Sequence, residues 1–292
     1  MTYSTATMGA GATPAKTFME GPVHTAMLAV GWTYVEEVVA TNTARVYKSA
    51  VADNGSADVY LLALRNADAG TGVYYVLGEG WNTSTKRLTG YVYIPSSGSS
   101  ISLDATGRFN DATGQLVSAL YSNTYGRFTS VNASGYSYWI SVTTKRLLVG
   151  SRVGATDNVV YAGFYDNAPT AAATSPQLTI HDGGNGSSGS NREPGISSAG
   201  SVTSGLGTQG YTPLYSGSTA LEFYGSALIP SPVQFRSLRG TPSLRGYLVD
   251  VLGVAWTATP VLGDTVTISG QAYTVFKGTS NTGLSYIASQ AL

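Results

Sequence analysis

His24 and His181 are the only histidines of this 292-residue chain, and it has no cysteine. Neither histidine stands in an HExxH or HxxxH frame, so no zinc site is written into the sequence. Thiolate zinc, a cysteine nucleophile and a disulfide framework are excluded outright. His181-Asp182 has the residue types of a hydrolase base and its orienter, yet no G-x-S-x-G elbow supplies the serine. A polar loop histidine is the simpler reading. Glycoside cleavage needs two carboxyls facing each other across a sugar. The candidates are Glu36, Glu37, Asp58, Glu79, Asp104, Asp111, Asp157, Asp166, Glu193 and Glu222. Most of them sit where turns and strand ends are expected.

Other motifs carry less. Gly184 to Gly189 and Gly205 to Gly210 both fit G-x-G-x-x-G. A dinucleotide site needs a strand before that motif and a helix N-terminus after it. Ser190-Asn191-Arg192 and Tyr211-Thr212-Pro213 follow instead, and neither opens a helical period. Asp182-Gly183-Gly184-Asn185-Gly186 has one carboxylate, fewer than calcium loops use. Tyr91 and Tyr93, and Tyr136 and Tyr138, form same-face pairs that could stack on sugar; Trp32, Trp81, Trp139 and Trp256 are scattered. The expectation is that one tyrosine row packs in the core and the other meets a subunit neighbour. Arg236, Arg239 and Arg245 form a small basic cluster, read as interfacial ion pairing and too small for a nucleic-acid footprint. The sequence thus nominates no catalytic, cofactor-binding or metal-ligating residue.

The elements that would carry these side chains are short β segments. Arg45–Ser49, Val59–Leu64, Val73–Leu77, Leu88–Ile94, Tyr136–Val142, Arg146–Val149 and Val159–Phe164 are rich in β-branched and aromatic residues, with Gly, Ser, Asn and Asp between them. Val266 and Ile268 alternate with Thr265, Thr267 and Ser269, then Ser269-Gly270-Gln271 turns into Tyr273–Phe276, which predicts a hairpin. Ser285–Ala288 adds a last strand. Asp111–Tyr121 is the one helix candidate. Ala26–Ala40 has a helical reading too, but Gly31, Trp32, Thr33 and Tyr34 favour extended backbone.

The predicted fold is mostly β: a jelly-roll-like or β-sandwich domain with a long Gly/Ser-rich loop, plus a small C-terminal β module. Residues 1–25 read as an N-terminal arm that orders only against a neighbour, so that losing residues 1–20 would leave the monomer folded. Residues 26–235 read as the sandwich, with an irregular loop over 170–217, and residues 236–292 as the module. No basic-then-apolar leader opens the sequence, and no apolar run approaches the ~20 residues of a membrane span. Sixteen basic and sixteen acidic residues cancel, and charged residues are only 11% of the chain. That balance removes any global basic field for nucleic acid or anionic membrane. It also removes the repulsion that keeps monomers apart.

Gly31-Trp32-Thr33 with Glu36, Val46–Ser49 and Asp58-Val59-Tyr60 resemble the opening of a family of tailed-bacteriophage virion structural proteins. Trp139-Ile140, Arg146–Val149 and Val159–Phe164 are similar to its middle. Leu244–Tyr247 with Gly263–Tyr273 resembles a module near the ends of phage tail and neck proteins. After Phe164 the chain departs from that pattern, with Ala168-Pro169 and an alanine-rich run. The resemblance implies a non-enzymatic part of the tail, neck or baseplate, located in the virion and assembled in the host cytoplasm. Its partners would be other virion proteins and copies of itself in a symmetric ring, with no cofactor, no membrane insertion and no nucleic acid. A carbohydrate-binding module that touches host surface glycan at the tail tip or fibre base is the alternative. A polysaccharide-cleaving tail enzyme is the third reading.

Overall fold

A computed structural model of the chain describes residues 1–39, 43–49, 58–65, 68–84, 86–89, 128–167, 178–182, 196–198, 201–203, 231–237, 243–255, 261–277 and 284–290. The protein is mostly β, as its alternating segments predict. The first half contributes β1 (Thr2–Met8), β2 (Thr33–Val39), β3 (Thr43–Lys48), β4 (Tyr60–Arg65), β5 (Gly72–Gly78), β6 (Gly80–Asn82), β7 (Arg87–Thr89), β8 (Phe128–Ser130) and β9 (Tyr136–Val142). The second contributes β10 (Arg146–Val153), β11 (Thr156–Asn167), β12 (Leu178–Asp182), β13 (Ile196–Ser198), β14 (Ser201–Thr203), β15 (Ser231–Ser237), β16 (Ser243–Ala255), β17 (Thr265–Ile268), β18 (Gln271–Phe276) and β19 (Leu284–Ser289). The helix candidate 111–121, both G-x-G-x-x-G matches, Tyr91, Tyr93, Trp256 and Arg239 lie outside the described residues.

Two sheets face each other. One is ten-stranded, in the order β1-β9-β10-β11-β16-β19-β18-β17, with β12 on β11 and β15 on β16. The other is β2-β3-β4-β5-β8. Between them lies one core: Tyr47, Leu61, Ala63, Val73, Tyr75 and Leu77 from the five-stranded sheet meet Tyr138, Ile140, Val142, Leu147, Val149, Val160, Ala162 and Phe164. This is a sandwich in which alternate residues of each strand turn inward. The five-stranded sheet is buried on its other face as well. There Val38, Ala44, Val46, Leu62, Leu64 and Val76 pack with Leu88 of the β6–β7 hairpin. Burial on two faces explains why β4 reads Leu-Leu-Ala-Leu without alternation.

Local turn chemistry sets the hairpins. In β10–β11 the two-residue loop is Gly154-Ala155, and Gly154 takes φ of 59°, the left-handed first position of a II′ turn. In β17–β18 Ser269 and Gly270 both have positive φ, 51° and 81°, as a I′ turn requires. The C-terminal strands are hydrogen-bonded into the large sheet, because β16 pairs with β11 over 246–248 and with β19 over 252–255. β15 runs across position 235, where a unit boundary was expected. The stretch 170–217, expected as one irregular loop, contains β12 and the β13–β14 pair.

The N-terminal segment overturns the arm expectation. β1 pairs along its whole length with β9 of the same chain, Thr2 opposite Val142 and Met8 opposite Tyr136. A continuous helical stretch then runs from α1 (Pro14–Phe18) through a π-helical turn (Met19–Val23) to α2 (His24–Ala29). Ala15, Phe18, Met19, Val23, Ala26 and Met27 recur at helical spacing and are fully or almost fully buried in the sandwich core. That stripe is the signal that would have found the helix; Gly21-Pro22 hid it, because both residues read as breakers. The wide π turn carries Pro22, which has no N–H to bond. Gly31, counted in the sequence as a mark of extended chain, is instead the helix stop. It has φ of 90°, its N–H donates to Leu28 O, and the Trp32 N–H donates to Met27 O. That is a Schellman motif, and extended structure does begin two residues on, at Thr33. Among the described residues no helix is long and apolar enough to cross a membrane.

Candidate functional site

Among the described residues, four gatherings of polar side chains each join one element to another. The largest holds the helical stretch against the five-stranded sheet. Glu20 receives Arg65 at 2.8 Å through one oxygen and Arg45 at 3.6 Å through the other. Arg45 also donates to Glu37 at 2.9 Å, and Arg65 to Asp68 at 2.9 Å. His24 Nδ1 lies 3.1 Å from the Tyr47 hydroxyl, with its ring edge-on to Tyr34, over which Arg45 is stacked. Burial and the Arg45 charge push the His24 imidazole below its ordinary pKa, favouring the uncharged ring. His24 thus works as a packing and hydrogen-bonding group in a clamp.

A second gathering fixes the β6–β7 hairpin. Glu36 accepts from Trp81 Nε1 at 2.6 Å and pairs with Lys86, whose φ of 52° is left-handed. A third joins the β17 approach to the outer face of β9 and β10. Arg152 is held by both oxygens of Asp157 at 2.6 and 2.9 Å, donates to Leu262 O at 3.1 Å and lies over the Trp139 ring. Gly263 packs so close to that indole that a Cβ would come within 2.5 Å of Cζ2. The fourth is Arg146, wholly buried, which donates to Ser141 O at 2.7 Å and Asp250 O at 2.9 Å. Burial lowers its pKa to about 10.

Among the described side chains the structure does not bring the candidate acids together as a facing pair. Glu36, Glu37, Asp58 and Asp157 are each held by a cation: Lys86, Arg45, Lys48 and Arg152. Glu79 is partly buried, and burial raises its pKa. Asp166 and the His181-Asp182 pair fall on β11 and β12, while Asp104, Asp111, Glu193 and Glu222 lie outside the described residues. Among the described residues no group of three His, Asp or Glu side chains is placed to hold a metal ion.

The tyrosine pair on β9 faces the core. Tyr136 and Tyr138 are 5% and 6% exposed and meet Phe18 edge-on at 5.8 and 5.4 Å. They offer no sugar platform. Trp32 is buried too, and its Nε1 donates to Thr143 O at 2.9 Å, tying the helix stop to the β9–β10 turn. The Tyr136 hydroxyl is buried with no hydrogen-bond partner, and burial lifts its pKa to about 12. Tyr47 and Tyr75 are pushed up further by the same cause. The sign follows directly. Unfolded phenols ionise near pH 10 while the folded ones resist, so their share of stability is intact below pH 10 and drains away above it. Deprotonation of Arg146 works in the opposite sense but is a single group. Stability measured by urea melts should therefore fall from pH 10 to 12. Tyr136→Phe should reduce that fall and raise stability at pH 7 by about 1 kcal/mol, because an unpaired buried hydroxyl is removed. A loss of stability at pH 7 in this variant would show that the hydroxyl is bonded.

Among the described residues, a further surface able to meet another molecule is backbone. β1 closes one end of the ten-stranded path and β17 closes the other. Neither TYSTATM nor TVTI contains a charged residue or a proline. Edge strands in natural sheets are normally guarded by lysine, proline or a bulge, since their free N–H and C=O groups can pair with another chain. The sequence reading missed this site, because which strand ends a sheet is not a local property. No protein-family model matches the chain, and no curated protein matches it either.

Proposed function

We propose that this chain is a non-enzymatic structural component of a tailed-phage virion, built into the tail, neck or baseplate by contacts with copies of itself and with other virion proteins. The observation that carries the reading is the pair of strands at the ends of the ten-stranded sheet, both without charge or proline. Such ends are a hazard in a free monomer and an asset in a part meant to be joined. The charge balance supports it, since formal net charge zero brings no long-range repulsion between copies. The ordered run of motifs that resembles the tailed-phage family points the same way. Glu20, Glu36, Glu37, Asp157, Arg45, Arg65, Arg152 and His24 are occupied in holding one element to another, which suits a building block.

Quantitative mass spectrometry of purified particles from the phage that encodes the chain tests the proposal. The chain should be recovered in a fixed copy number per particle that survives stringent washing. Recovery only from the unassembled fraction of the lysate would overturn it.

A further inference from the structure

We infer that two copies of the chain join by pairing β1 antiparallel with β1 across a two-fold axis. This rests on the assembly reading above and names its partner. β9 occupies one side of β1, and no strand among the described residues occupies the other. Every residue from Thr2 to Met8 keeps some exposure, and Thr5 and Thr7 are exposed. The strand runs seven residues in unbroken register with β9, without a bulge to twist its edge away.

Length and face select the occupant. Pairing β1 with β1 matches seven residues against seven, whereas β17 has only four to offer. An antiparallel pair centred on Thr5 sets Thr2 opposite Met8, Tyr3 opposite Thr7, Ser4 opposite Ala6 and Thr5 opposite its own copy. Residues two apart share a face. Thr2, Ser4, Ala6 and Met8 of both copies therefore fall on the core side, where Ala6 and Met8 already pack against the sandwich interior. Tyr3, Thr5 and Thr7 fall on the other. No like charges meet, and Thr–Thr and Tyr–Thr neighbours are favourable cross-strand pairs. The large sheet thereby continues through the axis, with its inner face unbroken. The shared strip is about 23 Å long at ~3.3 Å per residue. One strand pair of that length falls short of the ~1,000 Å² of a stable specific interface, so the isolated dimer is weak and the particle reinforces it.

Sedimentation equilibrium on the full chain tests this with wild type, Thr5→Lys, Thr5→Glu and an equimolar mixture of the two variants. Thr5 Oγ donates to Tyr138 O at 2.8 Å, so thermal melts first establish that each variant is folded. Wild type should dimerise weakly, with Kd of roughly 10–100 µM. Either variant alone should bind itself at least ten-fold less tightly, because like charges meet at the axis. The mixture should recover the lost affinity. A wild type that stays monomeric at about 1 mM, a Thr5→Lys variant that dimerises like wild type, or a mixture no tighter than its components would each overturn the two-fold pairing. None of these results touches recovery of the chain from particles. Absence from particles would instead overturn the assembly reading, whatever the dimer does.

Discussion

Removing residues 1–20 should abolish cooperative folding. The truncation strips β1 from β9 and takes away Ala15, Phe18 and Met19, all fully buried in the core between the sheets. Phe18 alone touches the rings of both Tyr136 and Tyr138. Truncating one buried phenylalanine to alanine costs about 3–5 kcal/mol, against a whole-domain stability of about 5–15 kcal/mol. Glu20 goes as well, and it holds Arg45 and Arg65; among the described residues nearly buried Arg65 would keep Asp68 alone as an acidic partner. Breaking a buried pair on one side is among the costlier changes a protein can suffer. Urea melts followed by tryptophan fluorescence should show no transition in the truncated chain. Phe18→Ala, a gentler test, should keep the transition and lose about 3–5 kcal/mol. A truncated chain that melts at the wild-type midpoint would restore the arm reading, in which these residues belong to a neighbour.

Gly163→Ala should be among the most damaging single methyls in the described structure. Gly163 lies opposite Arg146 in the β10–β11 ladder. A Cβ there would collide with Arg146 Cβ, and would lie 2.7 Å from both Arg146 Cα and Lys145 O. The obstacles are backbone and near-backbone atoms, so no side-chain rotation relieves them, and the two strands must part. Arg146 cannot retreat, because Ser141 O and Asp250 O hold its guanidinium in a buried slot. We expect a loss of about 3–4 kcal/mol, at the upper end for overpacking. That corresponds to a melting point lower by roughly 10 °C in a chain of this size. Gly21→Ala is the matched control. Its Cβ would meet nothing within 4 Å, and it lies within the helical stretch. Alanine there should be neutral or stabilising by up to about 1 kcal/mol. Equal effects of the two substitutions would show that crowding at Arg146 is not what keeps Gly163 a glycine.

Most strands were legible because their cause is local. The alternation in Thr265–Ile268 and the Ser269-Gly270 pair specify a hairpin with no help from the rest of the chain, since period and positive φ act over a few residues. The same holds for Tyr136–Val142, Arg146–Val149 and Val159–Phe164. The N-terminal helix was not legible by the same method. Its stripe Ala15, Phe18, Met19, Val23, Ala26, Met27 is interrupted by Gly21-Pro22, and local propensity argued against it. Burial against two sheets overrides that propensity, because the gain from six apolar side chains exceeds the cost of a wide turn.

Read alone, then, the amino-acid order determined the class of the fold, the positions of most strands and the absence of thiol chemistry, all of which depend on residue type or on neighbours a few positions away. The contacts between distant segments decided the rest. They turned Tyr136 and Tyr138 inward under Phe18, gave Glu36 and Glu37 to cations, and left Thr2–Met8 at the end of the sheet among the described strands. Those outcomes depend on which strands lie side by side. Strand adjacency is set by burial summed over the whole core, a quantity that no short stretch of the chain contains.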